Sequence, residues 1–330
     1  MTALVPLNNA DALERFKEAG GEEIYVGFHD EGWQRRFPDA ELNRMSGFGI
    51  QANPFDFEQM CAQLDRARDL GLLGYVCFNA STYTPDQADY IAHIYLPRLG
   101  QSGAEGIIVS GQGLIAAALD YGLAVTVSTI AGIYNARLAA HYRDCGATRL
   151  ILPRDLASNE IAQIVQAVPE VEYEVFMMRN GCLFSDSHCL GCHRAGEPSL
   201  CTSLRTGQHR MWLTDDPRNA DPVDSQSFLE RAWDNEQLLN EQYHRRTCGL
   251  CAVWRFEQLG ISAYKVVGRG DDIDDLCFDA ALVVRNIGIA RSCRSEEEYL
   301  HRMELPRDPA TLCGMQGLSC YYPELRRSGR

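Results

Sequence analysis

Short apolar, β-branched runs recur along the chain, and helical stretches fall between them. The runs are Ile24–Phe28, Gly74–Phe78, Gly106–Val109, Ala124–Val127, Arg149–Leu152, Tyr173–Phe176 and, much later, Ala263–Val267. Runs that are apolar on both faces and alternate with helices predict a parallel sheet built from βα units. Between them, Phe55–Leu70 places Phe57, Met60, Cys61, Leu64 and Ala67 on one helical stripe with charges opposite, and Ala136–Arg143 repeats the pattern. Seven strands in series with covering helices fit an α/β fold of TIM type, a complete or imperfect parallel βα barrel. A doubly wound sheet is the alternative.

The rhythm breaks between Phe176 and Ala263. That interval is rich in Cys, His, Asp and Pro, and its one helical pattern runs from about Gln226 to Arg245. It reads as a Cys-rich module inserted after strand six. The expected organisation is a barrel over 1–179, a metal-binding insertion over 180–260, and the last strand, a helix and a tail over 261–330.

Composition adds limits. At 330 residues, 45% hydrophobic and 23% charged, the chain can bury a large core, and its length suits two domains or one barrel. No run approaches the roughly 20 apolar residues of a membrane span, and Met1–Phe16 has neither a basic nor an apolar leader region, so a cytoplasmic location is expected. A formal charge of -14 repels phosphate backbones and anionic lipid, which disfavours nucleic acid and membrane as partners while leaving room for a local basic groove. A small ligand is the better expectation. Thirteen cysteines in a cytosolic setting point to metal or redox chemistry instead of disulfides.

Six of the thirteen lie in the irregular module: Cys182, Cys189, Cys192, Cys201, Cys248 and Cys251, spaced C-x6-C-x2-C-x8-C and then C-x2-C. A module with many thiols and little apolar sequence gains folding energy from a metal centre. Cys61, Cys77, Cys145 and Cys277 sit inside strand or helix patterns and read as small buried hydrophobes. The pairs Cys189/Cys192 and Cys248/Cys251 are too far apart for the common zinc pattern, and four thiolates from separate loops suit an iron–sulfur cluster equally well, so spacing leaves both metals open. Cys313 and Cys320, again six residues apart, could join a centre or cap the C-terminal region.

Barrel enzymes place their chemistry at the C-terminal ends of the strands. There the sequence offers His29, Asp30, Asn79, Ser110, Ser128, Thr129, Arg154, Asp155, Arg179 and Arg269. Single members of such a ring are often caps or turn residues, and Asp155 reads as a helix N-cap. Three arginines at strand ends suit a carboxylate or phosphate. Gly111-Gln112-Gly113 reads as a plain βα turn, and no G-x-S-x-G, H-E-x-x-H or P-loop pattern occurs.

Strand one at Glu23–Gly27, Phe176 leading into Cys182-x6-Cys189, then Cys201-Thr202, Cys248, and Tyr264-Lys265-Val266-Val267-Gly268-Arg269 together resemble the collagenase-like peptidase family U32 over most of residues 20–290. Met178, Val267 and His188 stand where that family usually has histidine, glutamate and arginine, which marks a divergent subfamily. Its better understood relatives are iron–sulfur proteins that help hydroxylate ring substrates without oxygen. The resemblance implies a 4Fe-4S cluster on Cys182, Cys189, Cys201 and Cys248, the last lying seventeen residues before Lys265. Cys192 and Cys251 have no counterpart in that pattern and are either alternative ligands or part of a second centre with Cys313 and Cys320, and zinc is the alternative metal.

The resulting expectation is a cytoplasmic, oxidoreductase-type iron–sulfur enzyme or enzyme subunit, with a possible protein partner, acting on an anionic or ring substrate. Arg154, Arg179, Arg269, Asn79 and His29 are the expected substrate-binding residues. The competing readings are a peptidase, as the family name implies, and a non-catalytic partner protein stabilised by metal.

Overall fold

All seven expected strands form, and an eighth precedes them. The computed structural model describes residues 1–182, 185–189, 247–306 and 320–326. Within them, β1 (Thr2–Pro6), β2 (Glu23–Val26), β3 (Leu73–Phe78), β4 (Ala104–Val109), β5 (Ala124–Val127), β6 (Arg149–Ile151), β7 (Glu172–Met178) and β8 (Ala263–Val266) are all parallel and close in chain order into a barrel. Closure is made by β1, which pairs with β2 on one side and with β8 on the other through Thr2↔Ala263, Ala3↔Tyr264 and Leu4↔Lys265. The doubly wound alternative is thereby excluded. The Cys-rich segment consequently follows the seventh of eight strands, not the sixth. Cys192, Cys201, Cys313 and the helix expected at Gln226–Arg245 lie outside the described residues.

The helices form the outer layer: α1 (Ala12–Glu18), α2 (Glu31–Arg36), α3 (Phe57–Asp69), α4 (Pro85–Tyr90), α5 (Leu96–Leu99), α6 (Ile115–Asp120), α7 (Ala136–Asp144), α8 (Ser158–Ala167), α9 (Val253–Leu259), α10 (Ile273–Ser292) and α11 (Glu296–Arg302). Helix α3 starts where Asp56 accepts the Gln59 N–H at 2.8 Å and the Gln59 side chain accepts the Asp56 N–H at 3.1 Å, a reciprocal cap that satisfies two otherwise orphaned donors. Its buried stripe is Met60, Cys61, Leu64 and Ala67, as the periodicity requires. Gly111–Gly113 is indeed a βα turn, a single 3-10 turn between β4 and α6. Among the described residues no helix is long and apolar enough to cross a membrane.

Strand alternation sorts side chains into two cores. Tyr173 and Tyr264 turn outward, donating to carbonyls at Val168 and Val253 beneath the helices. Their neighbours turn inward and carry charge. At the N-terminal floor, Arg149 donates to both oxygens of Glu23 at 2.6 and 2.9 Å and lies over the Tyr75 ring. One layer higher, Lys265 donates to Glu174 at 2.6 Å with its ammonium 4.1 Å from the centre of the Tyr25 ring. All four charged side chains are at least nine-tenths buried. Glu174 Oε2 has no hydrogen-bond partner among the described residues and sits 3.9 Å from Arg149 Nη1.

Candidate functional site at the barrel rim

The segment leaving β7 bends sharply, with Arg179 and Asn180 both in the left-handed region at φ 66° and 50°. Such backbone is uncommon away from glycine and persists where surrounding contacts over-determine it. Here the contacts are ionic. Arg179 Nε donates to Asp279 at 2.6 Å, while Nη1 and Nη2 each donate at 2.8 Å to Asp271 and Asp275 respectively. The Arg179 N–H donates to the Thr247 carbonyl at 2.7 Å, and its own carbonyl accepts the Tyr321 hydroxyl. Burial pushes the Asp279 carboxyl up to about 6 despite the guanidinium beside it. Every nitrogen of the Arg179 guanidinium therefore donates to a carboxylate.

Arg154, three residues beyond β6, is likewise engaged. Its Nε and Nη2 donate to the two oxygens of Asp186 at 2.7 and 3.0 Å, its Nη1 donates to the Asn180 carbonyl, and its guanidinium lies 4.3 Å from the Phe176 ring centre. Asp186 also accepts from Arg44 Nη1 at 2.9 Å and Thr129 Oγ1 at 3.0 Å. Its side chain is fully buried, and these partners hold its carboxyl well below the usual range although burial alone would raise it. The expected N-cap role of Asp155 does not occur. Helix α8 begins after Ala157, whose N–H is met by the Glu160 carboxylate at 2.8 Å, and Asp155 instead accepts the Tyr134 hydroxyl at 2.8 Å.

Arg269 differs from both. It is 5% exposed, and Nη1 and Nη2 each donate at 3.2 Å to an amide oxygen, of Asn53 and Asn43 respectively. Among the described residues it has no carboxylate partner. Asp271, two residues on, is turned to Arg179. Space for the guanidinium is made at the end of β2, where a Cβ on Gly27 would fall 2.0 Å from Arg269 Nη1 and 2.2 Å from Asn53 Oδ1. The two amides close a loop on itself: Asn53 donates to the Met45 carbonyl at 3.0 Å, and Asn43 Oδ1 accepts the Met45 N–H at 3.0 Å. His29 joins this neighbourhood, its Nδ1–H donating to the Asn53 carbonyl at 2.9 Å. Asn79 lies beside the Asp186 group, accepting the Arg44 N–H at 3.3 Å and donating to Ser128 at 3.4 Å.

The cysteines divide as well. Cys182 is four residues past β7, within electrostatic reach of Arg154, and Cys189 directly follows the 3-10 turn Asp186–His188. Cys248 forms backbone bridges to Met178 at the end of β7 and to Cys320, so the C-terminal segment lies against the same strand end. Tyr322 fastens it there by donating to the Phe176 carbonyl at 3.0 Å. Cys251 lies in the turn Leu250–Ala252. No three His, Cys, Asp or Glu side chains among the described residues are grouped to hold a metal ion. The donor chemistry nevertheless fits a thiolate-bound group: Cys182 and Cys248 are carried by segments that meet at one strand end, with Arg154 within electrostatic reach of the first. Cys61 and Cys77 are buried as expected, whereas Cys145 and Cys277 are only half-buried.

Asp186, Arg44, Asn43, Asn53 and Gly27 escaped the sequence reading. Asp186 had a signal, being the one carboxylate between Cys182 and Cys189. Arg44, Asn43 and Asn53 lie in a connection whose pattern carries no period, and Gly27 sat unremarked inside the strand run Ile24–Phe28.

The profile of peptidase family U32 matches residues 8–285. The tRNA hydroxylation protein P of Haemophilus influenzae is 27% identical over 181 residues, which cover 52% of this chain and 39% of that protein. Its namesake in Escherichia coli is 27% identical over 143 residues, covering 43% and 31%. The chain thus matches well under two thirds of the length of these relatives. A solved structure of a U32 peptidase superposes with a TM-score of 0.45 at 15% identity, covering 81% of this chain and 93% of that one.

Proposed function

This chain belongs to peptidase family U32, and we propose that it is an iron–sulfur protein of that family, an enzyme or enzyme subunit for oxygen-independent hydroxylation of a ring substrate. The observation that carries the reading is the meeting of the Cys182 and Cys248 segments at the end of β7, on the rim where barrel enzymes do their chemistry. The relatives named for tRNA hydroxylation support the reaction class.

In this reading Cys182, Cys189, Cys201 and Cys248 hold a 4Fe-4S cluster, whose contribution when bound is one-electron transfer. Cys192, Cys251, Cys313 and Cys320 are the alternates. The chain's own residues bind and orient. Arg154 and Arg179 are spent on carboxylates and act on loop geometry, which leaves Arg269, with His29 nearby, as the arginine for an anionic group of the substrate. Its guanidinium carries charge that only neutral amides meet, so an incoming carboxylate or phosphate would find an unneutralised fork. The relatives' name brings forward a base in tRNA as the ring. With a net charge of -14, a local basic groove or a partner subunit would then have to hold the RNA backbone.

Anaerobic purification of the full chain tests the cofactor: about four iron and four sulfide per chain are expected for a cubane cluster. Stoichiometric zinc without sulfide overturns it. Alanine at Cys182, Cys189, Cys201 or Cys248 should abolish iron retention, and alanine at Cys145 or Cys277 should not. Changing Arg269 to Lys should weaken binding of inorganic phosphate or citrate while leaving iron content unchanged, since an ammonium cannot reproduce the bidentate fork.

A further inference from the structure

Nothing in the composition of the stretch from Cys182 to Cys189 fixes the two thiols relative to the barrel. Asp186 supplies the fixing. Its buried carboxylate receives Arg44 from the long loop after β2, Thr129 from the end of β5 and Arg154 from the loop after β6, four hydrogen bonds of 2.7–3.0 Å on two oxygens. Charge-assisted bonds of this kind are the strong ones, and a buried carboxylate that has all of them has little freedom to move. Arg154 adds a second hold. Through Nη1 it also grips the Asn180 carbonyl, so a single guanidinium takes the loop two residues before Cys182 and three residues before Cys189. Phe176, packed against that guanidinium, ties it to β7. On the distal side the Cys189 N–H donates to the Asp186 carbonyl at 3.1 Å, which passes the position of Asp186 directly to the second cysteine.

We propose that Asp186 is a positioning residue which, by binding Arg44, Thr129 and Arg154 together, presets Cys182 and Cys189 against the barrel rim before any metal arrives. The arrangement draws only on protein groups from three separate loops, so the barrel itself supplies the hold on this segment. Two guanidiniums meet one carboxylate, and the net positive charge left over favours anionic sulfur ligands nearby. The role of the two thiols as ligands rests on the function proposed above, whereas their presetting does not.

The test uses the full chain stripped of metal. Iodoacetamide labelling is timed by mass spectrometry at Cys182 and Cys189, with the fully buried Cys61 and Cys77 reporting any general unfolding. Asp186→Asn, Arg44→Gln and Thr129→Val should each speed labelling at Cys182 and Cys189, by about tenfold for Asp186→Asn if the opening is local. Cys61 and Cys77 should stay protected, and Thr129→Ser should restore the slow rate. Unchanged rates at Cys182 and Cys189, or equal acceleration at Cys61 and Cys77, overturn the proposal. The same variants are then given ferrous iron and sulfide, and iron retained per chain should fall about tenfold or more, as for other groups that orient ligands. If the wild type retains no iron, the cluster reading fails, and the labelling result alone decides the positioning role.

Discussion

The floor and the rim of the barrel both bury arginines, yet they balance them differently. On the floor the buried charges pair off, Arg149 and Lys265 against Glu23 and Glu174, with the exposed Glu172 also accepting from Arg149. At the rim each arginine site departs from parity: two guanidiniums share Asp186, three carboxylates surround Arg179, and Arg269 has only amides among the described residues. A matched set inside a closed barrel stabilises a single packing and leaves no charge to offer a ligand. An unmatched set is costly to bury and makes sense where something else completes it, whether a loop, a metal's ligands or a substrate.

The sharpest way to break the contrast is on the floor. Replacing Arg149 with Met strands Glu23 in the interior, leaving Glu174 to Lys265 alone, and should cost about 3–5 kcal/mol in urea unfolding. At the rim, Asp186→Asn keeps the shape but loses charge-assisted bonds, an expected loss of about 2–3 kcal/mol at neutral pH. Its pH signature separates it from the floor. A carboxyl held below its ordinary 3.8 contributes stability above that value and loses it as pH falls further, so acid destabilisation below about pH 4 should be shallower in the variant.

Asp279 should show the opposite sign. Its carboxyl is raised from 3.8 to about 6, so its contribution is full below the ordinary value and is lost as pH rises through about 6. Acidifying from pH 7 to 5 should therefore stabilise the protein by about 1 kcal/mol through this group, a gain that Asp279→Asn removes. A flat difference between the two proteins across that window would place Asp279 with the balanced charges of the floor. The smallest effect is expected at Arg269: Arg269→Gln removes a buried charge with no carboxylate to strand, and stability should move by less than about 1 kcal/mol. A loss as large as that at Arg149 would mean that Arg269 is structural, and its assignment to an anion would fall.

Most of the barrel was legible because parallel strands are apolar on both faces and their runs stand out against amphipathic helices such as α3. The exception, β1, is five residues long and ends in Pro6, with only Ala3–Val5 to mark it. Cysteines in polar loops are conspicuous in a sequence, so Cys182, Cys189 and Cys248 stood out as candidates. Their supports did not. A lone arginine such as Arg154 looks the same in sequence whether it awaits a substrate or is already clamped by Asp186. The partner that decides between these, Asp186, comes from a different loop with no periodic relation to it. For the same reason Asp155 looked like a cap while Glu160 did the capping.

The β1 to β8 seam sets an order of events for a chain leaving the ribosome. Thr2 cannot meet Ala263 until 261 further residues have been made, a delay on the order of tens of seconds at typical synthesis rates. Throughout that interval the first strand offers an open edge to any other unpaired strand, so the nascent barrel is most exposed to mispairing just before its last strand arrives. Conditions that slow translation late in the message should lower the yield of soluble protein more than equal slowing early in it.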